Sequence, residues 1–127
     1  MSEPKTKTVA VIRAGGDPAR YANKSVRAHL KAGYTVYPVH PRETIVEGLR
    51  VFRSIRDVPE PLDRVTVYIP PGALLAILPD IAAKKPREVF LNPGTESPAV
   101  VDAAQKLGLN AIQACSIVDL GYAAPSL

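Results

Sequence analysis

"VAVIRAGGDPARYANKSV", residues 9–26, is the stretch on which the fold turns. Four apolar residues, Val9 to Ile12, lead through Arg13 and Ala14 into Gly15 and Gly16, and then through Asp17 and Pro18 into a helical pattern. Strand, glycine turn and helix in that order open a nucleotide-binding βαβ unit. Yet the turn carries no G-x-G-x-x-G, and Arg13 stands where a first glycine would be expected. Glycines let a backbone approach a ligand closely. A helix start offers free N–H groups and the positive end of its dipole to a phosphate. Asp17 acts in the opposite sense, because a capping carboxylate takes up those donors itself. A tight strand-to-helix turn with its usual Gly, Asp and Pro reads equally well from these residues alone.

The same alternation runs along the chain. Apolar runs at 8–12 ("TVAVI"), 35–39 ("TVYPV"), 64–69 ("RVTVYI") and 88–91 ("EVFL") are bounded by turn residues, and 110–115 ("NAIQAC") is a weaker fifth. The first and third are apolar on both faces, as strands of a buried parallel sheet are. Helical spacing puts Val26 and Leu30 on one face of 22–32, which ends at Gly33. A stripe of Leu74, Leu75, Leu78 and Ile81 runs through 70–85. Pro79 lies inside that stripe at a cost of about 3 kcal/mol, which predicts a kink or a two-part helix. Over 97–107, Ser97 serves as N-cap, Pro98 as first helical residue and Gly108 as exit. Residues 41–61 hold no helix of ordinary length. They read as a short helical turn, a break at Gly48, an extended "LRVF" and another turn before "VPEP". The tail "IVDLGYAAPSL" reads as loop or short terminal helix. The pattern predicts an α/β three-layer sandwich, Rossmann-like, with a five-stranded parallel sheet in the order 3-2-1-4-5 and helices on both faces. It fills one domain over 1–127, residues 1–6 being expected to be flexible.

Composition narrows the function classes. The 46% apolar and 22% charged content is that of an ordinary globular domain. No window approaches the roughly 18 apolar residues of a membrane span. "MSEPKTK" followed by the short "VAVI" does not make a signal peptide, and a lone cysteine forms no internal disulfide, so a reducing cytoplasm is the expected compartment. The formal charge of +4 favours an anionic partner. Lysines and arginines are scattered and aromatics few, which speaks for a phosphorylated small molecule rather than a nucleic acid.

In such a sheet, ligands bind at the C-terminal strand ends beside the switch point. The candidate binding residues are therefore Ala14, Gly15, Gly16 and Arg20 after the first strand, and His40, Pro41 and Arg42 after the second. Ile69 and Pro70 follow the third strand, and Asn92, Pro93 and Gly94 the fourth. An NAD-binding protein carries Asp or Glu at the second strand end. Here Arg42 stands near that place, where a guanidinium suits a phosphate on the ribose, or is a solvated loop arginine. "NPGTESP" at 92–98 brings backbone amides to a ligand or is only a well-capped helix start. Cys115 reads as a small buried hydrophobe. Neither His29 nor His40 has a second ligand at metal spacing. No G-x-S-x-G, Walker A or paired-carboxylate motif is present, so the sequence carries no catalytic constellation.

Together these residues resemble the small CoA-binding domain family, a Rossmann-like fold related to the N-terminal domain of succinyl-CoA synthetase alpha subunits. "VAVIRAGGDPAR" looks like the family's strand and G-A-S-type turn with a following Pro and Arg. "KAGYTVYPVHPR" is similar to its G-Y-x-V-x-P-V-N-P-K, with His40 for Asn and Arg42 for Lys. "GLRVFRSIRDVPEPLDRVTVYIPP" looks like its segment ending in a proline-closed third strand, and "EVFLNPG" stands in the place of W-x-Q-x-G. The resemblance implies CoA or acyl-CoA across the strand ends, with no catalysis. Phosphates would lie at the Ala14–Gly16 turn and Arg20, with Arg42 in the lysine's role. The adenosine part would lie by Ile69 and Pro70, with Asn92 to Gly94 nearby. Arg13 replaces the family's first turn glycine and Gly15 its serine, so Arg13 either adds a cation near the phosphates or fills the cleft. Two other readings stay open: an NADP-binding oxidoreductase-like protein, and a degenerate scaffold acting through a protein partner or a homo-oligomer.

Overall fold

The computed structural model describes residues 6–127. All but the last residue of the segment expected to be flexible lies outside the described residues. Strand β1 (Thr8–Ile12) is buried along its whole length and feeds two layers by simple alternation. Val9 and Val11 pack with Ala22 and Val26 of helix α1 (Tyr21–Lys31). Ala10 and Ile12 face the opposite layer, where Leu74, Leu78 and Ile81 of α2 (Pro71–Ala83) and Val100 of α3 (Pro98–Lys106) complete the larger core. Ser97 caps α3 as expected, accepting a hydrogen bond from Val100 N–H (3.1 Å), and Pro98 is its first residue.

The remaining parallel strands are β2 (Thr35–Val39), β5 (Arg64–Val67), β6 (Glu88–Leu91) and β7 (Ala111–Ile112), with a separate antiparallel pair, β3 (Ile45–Val46) and β4 (Leu49–Arg50), between β2 and β5. The five-stranded sheet runs β2-β1-β5-β6-β7, every pair parallel. The α/β Rossmann-like class is thus as expected, but the strand order is corrected: counting only the parallel strands it is 2-1-3-4-5, not 3-2-1-4-5. Two local causes account for this. Pro38 sits in the middle of β2 with its carbonyl turned outward, accepting from Phe52 N–H (2.9 Å). A strand whose outward side lacks a donor belongs at an edge, not between two neighbours. Thr8 meanwhile ties the approach to the third parallel strand directly against β1. Its Oγ1 donates to the Pro61 carbonyl (2.7 Å) and its N–H to Asp63 Oδ2 (2.8 Å).

Two smaller expectations are also corrected. The helical turn expected early in 41–61 is the β3–β4 hairpin, whose two turn residues, Glu47 and Gly48, both have positive φ, as a tight hairpin requires. Of the kink or two-part helix expected at Pro79, the two-part form is corrected: α2 runs as one helix from Pro71 to Ala83. Pro79 lies on the exposed side, where the carbonyl left without a donor can be hydrated.

Strand β5 separates the two faces chemically. Val65 and Val67 join the apolar core, whereas Arg64 and Thr66 point into the layer of α1 and α4 (Ser116–Asp119) and are just as buried. Arg64 Nε donates to Glu88 Oε1 and Nη2 to Asp119 Oδ2, both at 2.7 Å, and its guanidinium stacks on the Phe90 ring at 4.4 Å. Two carboxylates and an aromatic face are what an arginine needs to be kept out of water. Beside it, His29 Nδ1 donates to the Ser25 carbonyl (2.8 Å), leaving Nε2 to accept from Arg64 (3.3 Å). Burial holds the His29 ring neutral, with its pKa lowered to about 4. This cluster fastens α4, and with it the last part of the described chain, to the sheet.

Candidate functional site

The C-terminal ends of β1, β2, β5 and β6 open on one cleft of about 1040 Å³. It lies where the connections diverge, β1 leading to β2 on one side and the chain then crossing to β5 on the other, which is the switch point of a doubly wound sheet. The turn after β1 is drawn across the sheet by two amides, Arg13 and Ala14 N–H, both donating to the Val39 carbonyl (2.8 and 3.2 Å). That geometry places Arg13 at a φ of 73°, in the left-handed region. A residue with a β-carbon adopts it at a cost of about 1–2 kcal/mol, and glycine at none.

Of the residues expected after β1, Gly15, Gly16 and Arg20 line the cleft, while Ala14 is fully buried and packs into the α1 layer. Gly15 and Gly16 have no positive φ, and a β-carbon added at either would meet nothing within 4 Å. Neither backbone conformation nor packing against the chain asks for glycine here. What the missing β-carbons leave free is cleft space, the cradle a closely approaching ligand needs. Asn23, from α1, steadies the turn through Nδ2 to the Gly15 carbonyl (2.8 Å). Asp17 spends its Oδ1 on Ala19 N–H (2.9 Å) within its own turn. Helix α1 therefore starts at Tyr21 with no side-chain cap and no acidic residue in its first turn, and Tyr21 and Ala22 form part of the cleft wall. With the Asp17 Oδ1 engaged in its own turn, the helix N-terminus is open to an anion.

After β2, His40 lines the cleft but Pro41 and Arg42 do not; both are exposed outside it. His40 Nδ1 accepts from the N–H groups of Arg42 (3.0 Å) and Glu43 (3.2 Å), so its proton belongs on Nε2. Its pKa is lowered, first by burial and then by the nearby charge of Arg13. Arg13 is on the cleft lining and Arg42, whose charge also lowers the His40 pKa, is not. After β5, Ile69 and Pro70 lie on the lining as expected, joined by Tyr68, whose hydroxyl is 3.1 Å from Ser116 Oγ and whose pKa is raised by burial.

After β6, residues 92–95 form a tight turn closed by Thr95 N–H to the Asn92 carbonyl (3.0 Å), with Pro93 and then Gly94 at a φ of 93°, a type II arrangement. All three expected residues border the cleft, but the Asn92 amide is wholly engaged within the chain. Its Nδ2 donates to Thr66 Oγ1 (2.7 Å) and the Val67 carbonyl (2.8 Å), and its Oδ1 accepts from Ser116 N–H (2.9 Å). Asn92 joins β5, β6 and α4 and so shapes the cleft without offering it a free polar group.

The far wall is what sequence reading missed. Val118, Ala123 and Pro125 close it, held by Lys24 Nζ donating to the Ala124 carbonyl (3.0 Å). No periodicity in the tail announced that role. Cys115, expected to be a buried hydrophobe, is half-buried and borders the cleft at the N-cap of α4. The weak fifth strand ends at Ile112, so the chain has already left the sheet when it reaches the thiol. Among the described residues, no group of three His, Cys, Asp or Glu side chains could hold a metal ion, and no helix is long and apolar enough to cross a membrane.

A model of the CoA binding domain family matches residues 7–121. The chain belongs to the CoA-binding domain family. This CoA-binding domain is 34% identical over 64 residues to the alpha subunit of the ADP-forming acetate–CoA ligase II of Pyrococcus furiosus. That match covers 49% of this chain and only 14% of the ligase subunit. A solved Thermus thermophilus structure superposes on the CoA-binding domain with a TM-score of 0.83 and 35% identity, covering 90% of this chain and 87% of that one. A hypothetical protein from Pyrococcus horikoshii OT3 gives a TM-score of 0.84 at 25% identity, over 91% of this chain and 82% of its own. Against the family's turn pattern, Arg13 keeps a backbone conformation suited to the glycine it replaces. It lines a cleft that remains open, so its side chain does not fill the site.

Proposed function

We propose that this CoA-binding domain holds CoA or an acyl-CoA in the strand-end cleft and carries out no chemistry on it. The observation that carries this reading is the pair Gly15 and Gly16, which neither the backbone nor the packing requires and which open on cleft space beside the uncapped start of α1. Phosphate groups belong at that turn, with Arg20 as a cation on the lining. The cleft is large even for a small-molecule site, roughly 300–1,000 Å³ being the usual range, which suits a nucleotide with a long arm. Several of its polar atoms are committed within the chain, while the Glu43 carboxylate and the Cys115 thiol on the same lining have no side-chain partner among the described residues. His40 Nδ1 and Asp17 Oδ1 hold backbone amides, Tyr68 meets Ser116, and Asn92 binds β5 and α4. Those bonds hold the cleft wall in place for a ligand, and the sequence carries no catalytic constellation beside it. Both the NADP and the CoA readings gave Arg42 a phosphate, and Arg42 lies outside the lining, so the choice between the two ligands rests on titration.

Calorimetric titration of the ligand-stripped protein with CoA, dephospho-CoA and NADPH tests the reading. Saturable heat with CoA, weaker with dephospho-CoA and absent with NADPH, is the expected result. Binding of NADPH in preference to CoA, or no heat with any of the three, would overturn it.

A further inference from the structure

Arg13 is the residue in the cleft that the fold itself does not explain. It occupies a left-handed backbone position at the end of β1, which glycine would fill without strain. The chain holds that position through main-chain bonds alone, Arg13 N–H to the Val39 carbonyl, which any residue could make. No ion pair among the described residues includes its guanidinium. Arg20, the other arginine of the cleft, has Asp17 at 3.9 Å, so part of its charge is already answered. The two amides on the Val39 carbonyl set the backbone position, and they ask nothing of the side chain, which is left exposed on the cleft lining.

We propose that Arg13 is a ligand-contacting cation that sets the anion preference of the cleft by taking a phosphate oxygen of the bound molecule. This rests on the phosphate-binding reading of the turn and extends it to a residue outside the family's turn pattern. Three features converge on the same small region. Arg13 lies on the lining, Gly15 and Gly16 leave space beside it, and the uncapped start of α1 opens there; Glu43 adds one carboxylate to the same lining. A guanidinium keeps its charge at every physiological pH and can hold two phosphate oxygens at once. The ligand class that fits is a nucleotide bearing a diphosphate or a phosphomonoester; a ligand with a single carboxylate would leave the paired arginines and the helix end under-used.

The test compares wild type with Arg13→Gly and Arg13→Asn, Asn being the side chain that best tolerates a left-handed backbone while removing the charge. Each protein is melted without ligand and then titrated, at low salt, with CoA and with inorganic pyrophosphate. Arg13→Gly is expected to melt a few degrees higher than wild type, because the strain is gone. Both variants are expected to bind CoA and pyrophosphate about 10- to 100-fold more weakly. Gains in stability and losses in affinity from one substitution are a pair that a purely structural arginine would not produce. Variants that bind both ligands as tightly as wild type would overturn the inference whatever their melting points. Wild type that binds pyrophosphate but not CoA, with the loss still seen in the variants, would retire the CoA reading and leave the role of Arg13 standing. Wild type that binds neither ligand would overturn both.

Discussion

At the end of β6, the residue with positive φ is Gly94, and the side chain before the turn, Asn92, is consumed in bonds to β5 and α4. At the end of β1, the residue with positive φ is Arg13, and the two glycines that follow have ordinary backbones with open space where a side chain would be. The first turn is accounted for by the chain alone: glycine where φ demands it, polar atoms paired. The second inverts that economy. It puts a bulky residue where glycine fits and glycine where bulk would fit, and both departures face the cleft. What sets this turn apart from Gly72 or Lys85, which show one such feature each elsewhere on the chain, is that both features stand together on the cleft lining.

The contrast can be broken experimentally. The largest expected effect is that of Asn92→Ala, which strips three buried hydrogen bonds and leaves Ser116 N–H and the Val67 carbonyl short of partners. Stability should fall by about 3 kcal/mol in urea denaturation. A loss below about 1 kcal/mol would show that the β6 turn does not depend on its amide. Acid should weaken the scaffold beneath both turns by a similar amount, through His29. Its pKa in the folded chain is about 4, below the ordinary 6.5. As the pH falls below 6.5, the unfolded chain takes up a proton that the folded chain refuses. The contribution is complete above that pH and is lost by degrees toward 4, amounting to about 3 kcal/mol there. A His29→Gln variant should show a flatter stability profile between those two pH values, and an unchanged slope would assign the acid limb to other groups.

Gly94→Ala should cost about 1–2 kcal/mol, all of it from the backbone, since nothing lies within 4 Å of the added carbon. Gly15→Ala is the matched control and the smallest effect on stability. It should leave the melting point unchanged or raise stability by up to about 1 kcal/mol, while CoA titration shows weaker binding. Equal losses of stability from Gly15→Ala and Gly94→Ala would erase the distinction between the turns.

How much of this was legible follows from where the information sits. The runs "TVAVI", "TVYPV" and "EVFL" appear in the structure with the boundaries read from sequence, and the helices to within about two residues, because burial and capping are written locally. The strand order was legible too, in Pro38, but only if a proline inside a strand is read as an edge signal before helical crossovers are counted. Thr8 and its bonds to the segment before β5 were out of reach, since nothing in either stretch names the other. In the cleft, strand ends were found because a parallel sheet puts them together. Arg42 was placed by its distance from the strand; its backbone N–H turns in on His40, and the residue is not on the cleft lining. The wall from Val118 to Pro125 depends on Lys24 and on the Arg64–Asp119 pair, which are contacts at long range.

Pro38 has a consequence beyond strand order. A sheet edge with free donors invites another chain to add a strand, and β2 is the longer of the two outer strands here. Its outward side lacks the Pro38 donor, and the acceptor that remains there is taken by Phe52 N–H, which also covers the edge. The opposite edge, β7, offers two residues. Adding a strand to this sheet therefore gains little at either edge.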